Sequence, residues 1–262
     1  MSSAPDPQAG PETVTLNAVL SLGDVKVRAG ITVPTRPVPL SEFLPIFRSL
    51  AEAVVGRAVQ AVEKDGKSVS CRKGCGACCR QLVPITEIEA RQIRDLVENL
   101  PEPRRSDVRA RFAAARRRLE GTPVLDKLLN PDRFSDGDLK ATDLGLDYFR
   151  LGIPCPFLED ESCSIHPERP IACREYLVTS PAEHCADPAL ETVKVVPLSG
   201  KVSTAVTLMG VEPGRRFTRW VPLILALEWA DGHSDNPPLR TGPEWLGEFL
   251  TRLTGIEIPP PE

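Results

Sequence analysis

Eight cysteines carry the clearest chemistry in this 262-residue chain, and all of them fall between Cys71 and Cys185. The first four form a dense knot, Cys71-Arg72-Lys73-Gly74-Cys75-Gly76-Ala77-Cys78-Cys79, with the pattern C-x3-C-x2-C-C. The other four, Cys155, Cys163, Cys173 and Cys185, are widely spaced. Thiolates bind Zn²⁺ tetrahedrally or hold the irons of Fe–S clusters, and either use needs about four of them within reach of one centre. Two sets of four match that count. Gly74 and Gly76 let the backbone bend toward a metal without a side-chain clash. Cys78 and Cys79 are adjacent and would share one metal only with strain. Two centres, or one multinuclear cluster with an extra ligand, is the easier geometry.

The late cysteines sit among Pro154, Pro156, Pro167, Pro170 and Pro181, which favour a rigid looping segment over helix or strand. Metal, more than an apolar core, would hold such a segment in place. The expectation is that the late loops complete the knot, with ligands interleaved across both halves. By formal counting, eight thiolates around two Zn²⁺ leave about −4, and four around an oxidised [4Fe–4S] cluster about −2. Arg72, Lys73, Arg80, Arg169 and Arg174 stand beside or near the cysteines and would offset that charge. Arg72, Arg169 and Arg174 are the expected supporting contacts to the cofactor, with Arg169 and Arg174 donating hydrogen bonds to sulfur.

Other uses of the cysteines fit less well. Disulfides need an oxidising compartment, and Met1 to Pro11 has neither the basic nor the apolar region of a secretory signal, so a cytoplasmic protein is expected. The triad Cys71-x3-Cys75-x2-Cys78 is similar to that of radical-SAM enzymes. However, Ala77 stands where those carry an aromatic residue, and five cysteines would go unused. A nucleophilic cysteine paired with His184 competes poorly with coordination inside a cysteine cluster. His166 and His184 read as structural or supporting groups, and His233 as incidental.

The surrounding elements must position these residues. Residues 1–12 have the composition of a disordered tail and 13–262 that of a single domain, with the cysteine core at 71–185. Alternating apolar residues on either side of Gly23-Asp24 predict a hairpin that sets Leu22 opposite Val25, Leu20 opposite Val27 and Leu16 opposite Ile31. Ser41 is placed to cap a helix running to about Lys64, stopped by Asp65-Gly66. Thr86-Glu87-Ile88-Glu89 is a capping box for a helix ending before Pro101. A third helix, about Glu102 to Glu120, has an apolar side and an arginine-rich side that reads as a solvated face. Gly121 to Thr142 reads as loop and short helix, with Asp136-Gly137-Asp138 a turn rather than a calcium loop. A second hairpin is predicted across Ser199-Gly200, a buried helix from Trp220 to Ala230, and a last amphipathic helix around Trp245 to Leu253. The class is α+β: the antiparallel hairpins form one sheet, with helices packed on it beside a cysteine- and proline-rich metal-binding lobe.

The net charge of −4 gives no overall attraction to nucleic acid or anionic membrane. The longest apolar run, Trp220 to Trp229, is short of the roughly 20 residues that span a bilayer. The knot, followed by Cys155-Pro156-Phe157-Leu158, Cys163-Ser164-Ile165-His166, Arg169-Pro170-Ile171-Ala172-Cys173-Arg174 and Cys185, resembles the YkgJ-type cysteine-cluster family of bacterial zinc- or iron-chelating domains. The resemblance implies metal or Fe–S binding through Cys71, Cys75, Cys78, Cys79, Cys155, Cys163, Cys173 and Cys185. The domain is also distantly similar to the cysteine-rich domain of flagellin lysine N-methylases, but no methyl-donor site is recognisable here. The expected function is metal binding at one or two centres, Fe–S, Zn²⁺ or one of each, with the reaction unassigned. A cluster-dependent enzyme of protein modification or redox chemistry, acting on a protein substrate, is the alternative; metal buffering or delivery is the other.

Overall fold

The computed structural model describes residues 12–22, 25–130, 141–187, 192–210 and 220–258. The chain opens with the hairpin β1 (Thr13–Leu22) and β2 (Val25–Pro34), whose register pairs Leu22 with Val25, Leu20 with Val27 and Leu16 with Ile31. The alternation of apolar residues dictates this pairing, because a slip by one residue would turn every apolar side chain outward. Ile31 and Val33 are buried, while Thr15 and Thr32 pair across the outer face at 2.9 Å. The short strand β3 (Pro37–Pro39) and a 3₁₀ turn (Leu40–Phe43) lead into α1 (Leu44–Lys64). Ser41 therefore lies inside the 3₁₀ turn and is not the cap. Pro45 in the first turn starts the helix, since its missing N–H costs nothing there.

After the knot, β4 (Pro84–Thr86) runs into α2 (Glu87–Glu98), and the expected capping box forms in full. Then come α3 (Arg104–Leu119), α4 (Pro123–Leu129) and α5 (Ala141–Arg150). The late cysteine segment holds a hairpin, β5 (Leu158–Glu159) with β6 (Ser162–Cys163), and two short helices, α6 (Ile171–Glu175) and α7 (Ala182–Ala186). The chain closes with α8 (Val202–Thr207), β7 (Trp220–Pro222), α9 (Ala226–Gly232), β8 (Leu239–Thr241) and α10 (Gly242–Thr254). No helix of the described residues is long and apolar enough to cross a membrane. The 1–11 segment, the Gly23-Asp24 turn and Asp136-Gly137-Asp138 lie outside the described residues.

The fold is α+β, but its strands do not form one sheet. Each described strand has a single partner: β1 with β2, β3 with β8, β4 with β7, β5 with β6. The second hairpin predicted across Ser199-Gly200 is replaced by α8. The buried carboxylate of Glu175 accepts from the amides of Val202 and Ser203 and from the Ser203 hydroxyl, giving that helix an anion at its start. Val195 instead makes an isolated bridge to Val178. The helix expected from Trp220 is split, because Trp220–Pro222 pairs with β4 and a 3₁₀ turn at Leu223–Leu225 precedes α9. Its expected burial holds from Val221 to Ala226.

The main apolar core joins β2, α1, α8 and α10 around Phe43, Phe47, Trp245 and Phe249, with Phe47 and Phe249 rings 4.6 Å apart. Gly242 opens α10 so close to β2 that a Cβ would stand 2.3 Å from the Pro34 carbonyl oxygen, so only glycine fits. A second cluster gathers α2, α3 and β4 on Phe157 and Ile165 of the late cysteine segment. Phe112 of α3 meets Phe157 edge-on at 5.5 Å.

The arginine side of α3 is not a plain solvated face. Arg104 donates to the Ser164 carbonyl, Arg111 to the Pro156 carbonyl and Glu159, and Arg118 to the carbonyls of Leu151 and Gly152. Arg105, Arg109 and Arg116 pair with Glu102, Glu98 and Glu228. The helix thus straps down the loops that carry the late cysteines.

Candidate metal centre

All eight cysteines line one cavity of about 960 Å³, although they come from two stretches of sequence. Cys185 is buried at 4% exposure and the other seven are half-buried; none is in a disulfide. The knot is a non-repetitive turn. The left-handed φ of Gly74, +84°, lets the Cys75 amide return to the Arg72 carbonyl at 3.1 Å. A 3₁₀ turn, Ala77–Arg80, then carries Cys78 and Cys79.

Backbone hydrogen bonds lock the two halves together. The Cys155 amide donates to the Cys79 carbonyl at 2.7 Å, and the Ser70 amide to the Val178 carbonyl at 2.9 Å. The Val178 amide donates to Cys71 Sγ at 3.4 Å. The β5–β6 turn sits directly on the knot: a Cβ on Gly76 would stand 2.6 Å from Glu161 Oε2 and 2.7 Å from Leu158 Cδ1. Asp160 and Glu161 form that turn with φ of 49° and 54°, a left-handed pair that suits a two-residue hairpin and costs of order 1 kcal/mol of strain per non-glycine residue. Arg80 holds it, donating to the Gly76 carbonyl at 2.9 Å and pairing with the Glu161 carboxylate at 2.7 Å.

Buried carboxylates position the late cysteines. Glu89, 2% exposed, completes the Thr86 capping box and also accepts from the Ile171 amide at 2.8 Å, at the start of the helix bearing Cys173. From the end of that helix, Glu175 holds α8 as described. Arg174 on the same helix does not line the cavity. Its guanidinium is consumed by the carbonyls of Arg169 and Pro167 and by Glu52 of α1. The expectation that Arg174 donates to sulfur is therefore corrected: it anchors the Cys173 helix to α1. Arg72 and Arg169 do line the cavity. Arg169 donates to His166 Nε2 at 2.8 Å, and the His184 Nδ1–H donates to the Thr192 carbonyl at 2.9 Å, so both imidazoles have structural partners. The Trp229 carbonyl accepts from His233 at 2.7 Å, well away from the cysteines in sequence.

The electrostatics show which thiols share space. Burial pushes Cys155 up to about 12 and Cys173 well above its ordinary value, and burial also raises Cys71, Cys163 and Cys185. The Cys79 thiol donates to Cys78, which lowers Cys78 to about 7 and raises Cys79. Cys78 acts electrostatically on Cys71 and Cys79 of the knot and on Cys155, Cys163, Cys173 and Cys185 of the late loops. Among the described residues, no three His, Cys, Asp or Glu side chains are preset around a single ion. The donor set is nevertheless all sulfur, which suits zinc and iron–sulfur centres over hard cations.

An α+β frame that folds two cysteine segments around one cavity has the donor chemistry of a thiolate chelating domain. Residues 70–192 match the family model CxxCxxCC, described as "Putative zinc- or iron-chelating domain". That match covers a little less than half of the chain. Three residues separate Cys71 from Cys75, where the model's name has two. No curated protein and no solved structure matched the chain.

Glu161, Glu175 and Tyr176 line the cavity and Glu89 holds one of its segments, and none of the four was expected at the site. Tyr176 lines the cavity and accepts from Gln81 Nε2 at 3.2 Å. Glu89 was readable as a cap, but its second bond joins positions 82 residues apart and leaves no local signal.

Proposed function

We propose that the protein is a cytoplasmic metal-binding protein whose eight cysteines hold an Fe–S cluster, zinc, or one of each at one or two centres in this cavity. The observation that carries the reading is the convergence of all eight thiols, from both halves of the segment, on one space. Thiols of the knot and of the late loops act on one another electrostatically, Cys185 with Cys71 and Cys75, and Cys79 with Cys155 and Cys163. Four cations line the cavity, Arg72, Lys73, Arg169 and Lys201, and none lies within ion-pair distance of a carboxylate among the described residues. They would offset the charge of about −4 left by eight thiolates on two Zn²⁺. We further propose that residues 13–262 form one domain, since the main core takes side chains from Ile31 to Leu250. Nucleic acid and membrane are not among the proposed partners: the net charge is −4, and most of the arginines of α3 are bound internally.

Anaerobic purification with elemental analysis and a visible spectrum tests this. Iron with acid-labile sulfide and broad visible absorbance marks a cluster; a colourless protein with about two zincs marks tetrahedral sites. A protein that takes up neither metal contradicts the proposal.

One observation favours a reactive role, as a protein-modifying or redox enzyme. The cavity continues past the thiols onto Leu198, Lys201 and Thr204, whereas structural zinc sites are closed. Such an enzyme would keep a coordination position open. Added imidazole or cyanide would then change the spectrum of the loaded protein; an unchanged spectrum would indicate a closed, structural centre. Buffering or delivery is less well supported, because exchange needs exposed thiolates and Cys185 is buried.

A further inference from the structure

Two polar atoms in the wall of the cysteine cavity have no partner. Ser164 Oγ and Arg169 Nε are shut off from water and hydrogen-bonded to nothing among the described residues, and both residues line the cavity. A buried donor without an acceptor is costly, so such atoms are rare without a reason. Two further atoms share this state, Arg48 Nε and Arg104 Nε, but those residues lie off the cavity. Their guanidiniums are anchored to Gln92 and the Glu168 carbonyl, and to the Ser164 carbonyl.

Both residues are held in place on the cavity wall. The Ser164 amide donates to the Phe157 carbonyl at 2.9 Å and its carbonyl accepts from Arg104 at 3.1 Å, so its backbone is fixed on both sides. The Arg169 carbonyl accepts from Arg174 Nε at 3.1 Å, and its Nη1 is held by His166 at 2.8 Å. Ser164 follows Cys163 directly. The Arg169 charge acts on Cys71, Cys78 and Cys163, which come from both halves of the site.

We infer that Ser164 Oγ–H and Arg169 Nε–H are the hydrogen-bond donors to the sulfur of the metal centre, positioning residues that become satisfied only when the thiols have closed on metal. The inference rests on the metal-binding reading above. It adds Ser164, a neutral side chain with no charge to offset, and it specifies Nε as the atom through which Arg169 makes the bond to sulfur expected of it from the sequence. Donors to metal-bound sulfur strengthen retention of the metal, and in Fe–S centres they help set the reduction potential.

The test is chelator competition on the full chain, loaded with the metal it carries on anaerobic purification, for Ser164→Ala, Arg169→Lys, Arg169→Gln and Arg72→Gln. Loss of an outer-shell partner costs about 10- to 100-fold in metal affinity. Arg169→Gln is expected within that range, with Ser164→Ala and Arg169→Lys both measurably weakened in the same direction. Arg72→Gln, which removes a cavity cation but no unpartnered atom, loses less than Arg169→Lys, although Arg169→Lys keeps its charge. For an Fe–S centre, Ser164→Ala also moves the reduction potential to a more negative value. Melting of the metal-free variants is expected to match metal-free wild type, which separates loss of metal contact from loss of fold. Ser164→Ala and Arg169→Lys proteins with wild-type affinity and potential overturn the inference. So does an order in which only charge matters. A wild-type protein that holds no metal fails at the first step and rejects the metal-binding reading itself.

Discussion

The α1–α10 core and the cysteine lobe are built on opposite principles. In the core, Phe43, Phe47, Trp245 and Phe249 are at most 2% exposed, and burial of apolar surface does the work. In the lobe, taken as residues 71–80 and 155–186, the elements are five residues or fewer, and hydrogen bonds between distant segments fix the chain, as from Cys155 to Cys79 and from Ile171 to Glu89. No cysteine belongs to the main core cluster. The lobe encloses a cavity where a small domain would normally have side chains, and its own bonds mainly hold the thiols near one another. Stability and chemistry are therefore held by different parts of one chain, joined where Arg174 of the lobe meets Glu52 of α1.

The largest test of that contrast is metal removal. Chelation should expose Cys155–Ala186 to proteolysis and fast amide exchange while α1 and α10 stay protected; equal protection of the lobe before and after would erase the distinction. Truncation in the core should act in reverse. Phe47→Ala is expected to cost about 3–5 kcal/mol in denaturant unfolding, with the metal content of the folded fraction unchanged. At the junction, Gly76→Ala forces a Cβ against Leu158 and Glu161 and should cost about 1–3 kcal/mol, with metal content falling as the hairpin is displaced. Glu161→Gln weakens the exposed pair with Arg80 and should lower the denaturation midpoint only slightly.

The smallest effect lies outside both regions. Arg94 and Arg91 hold the Asp235 carboxyl below its usual range. A depressed carboxylate contributes stability above its unfolded value and loses it as pH falls through the folded value. Asp235→Asn should therefore slightly lower stability at neutral pH in denaturant unfolding, with the difference from wild type vanishing as pH falls through the folded value.

The two regions also differed in what the sequence revealed. The first hairpin, the Thr86 capping box and the helix at Trp245 carry local periodicity and caps, and the structure has them in place. Cysteine spacing pointed to a shared site because thiols in such numbers have few other uses. The alternation from Val193 to Val206 misled, since Glu175 caps Val202 from 27 positions away and turns a strand pattern into a helix. Arg174 misled for a similar reason: its nearness to Cys173 in sequence says nothing of Glu52, 122 positions away, which takes its charge. Long-range polar pairs leave no period in the sequence, and the lobe is made of them.

The central claim is that thiols from both halves close on metal together. Differential alkylation of the cysteines, quantified by mass spectrometry on metal-loaded and metal-free protein, measures this at each position. The account predicts joint protection of Cys71 to Cys79 and Cys155 to Cys185 on loading. Protection confined to one of the two segments would contradict it.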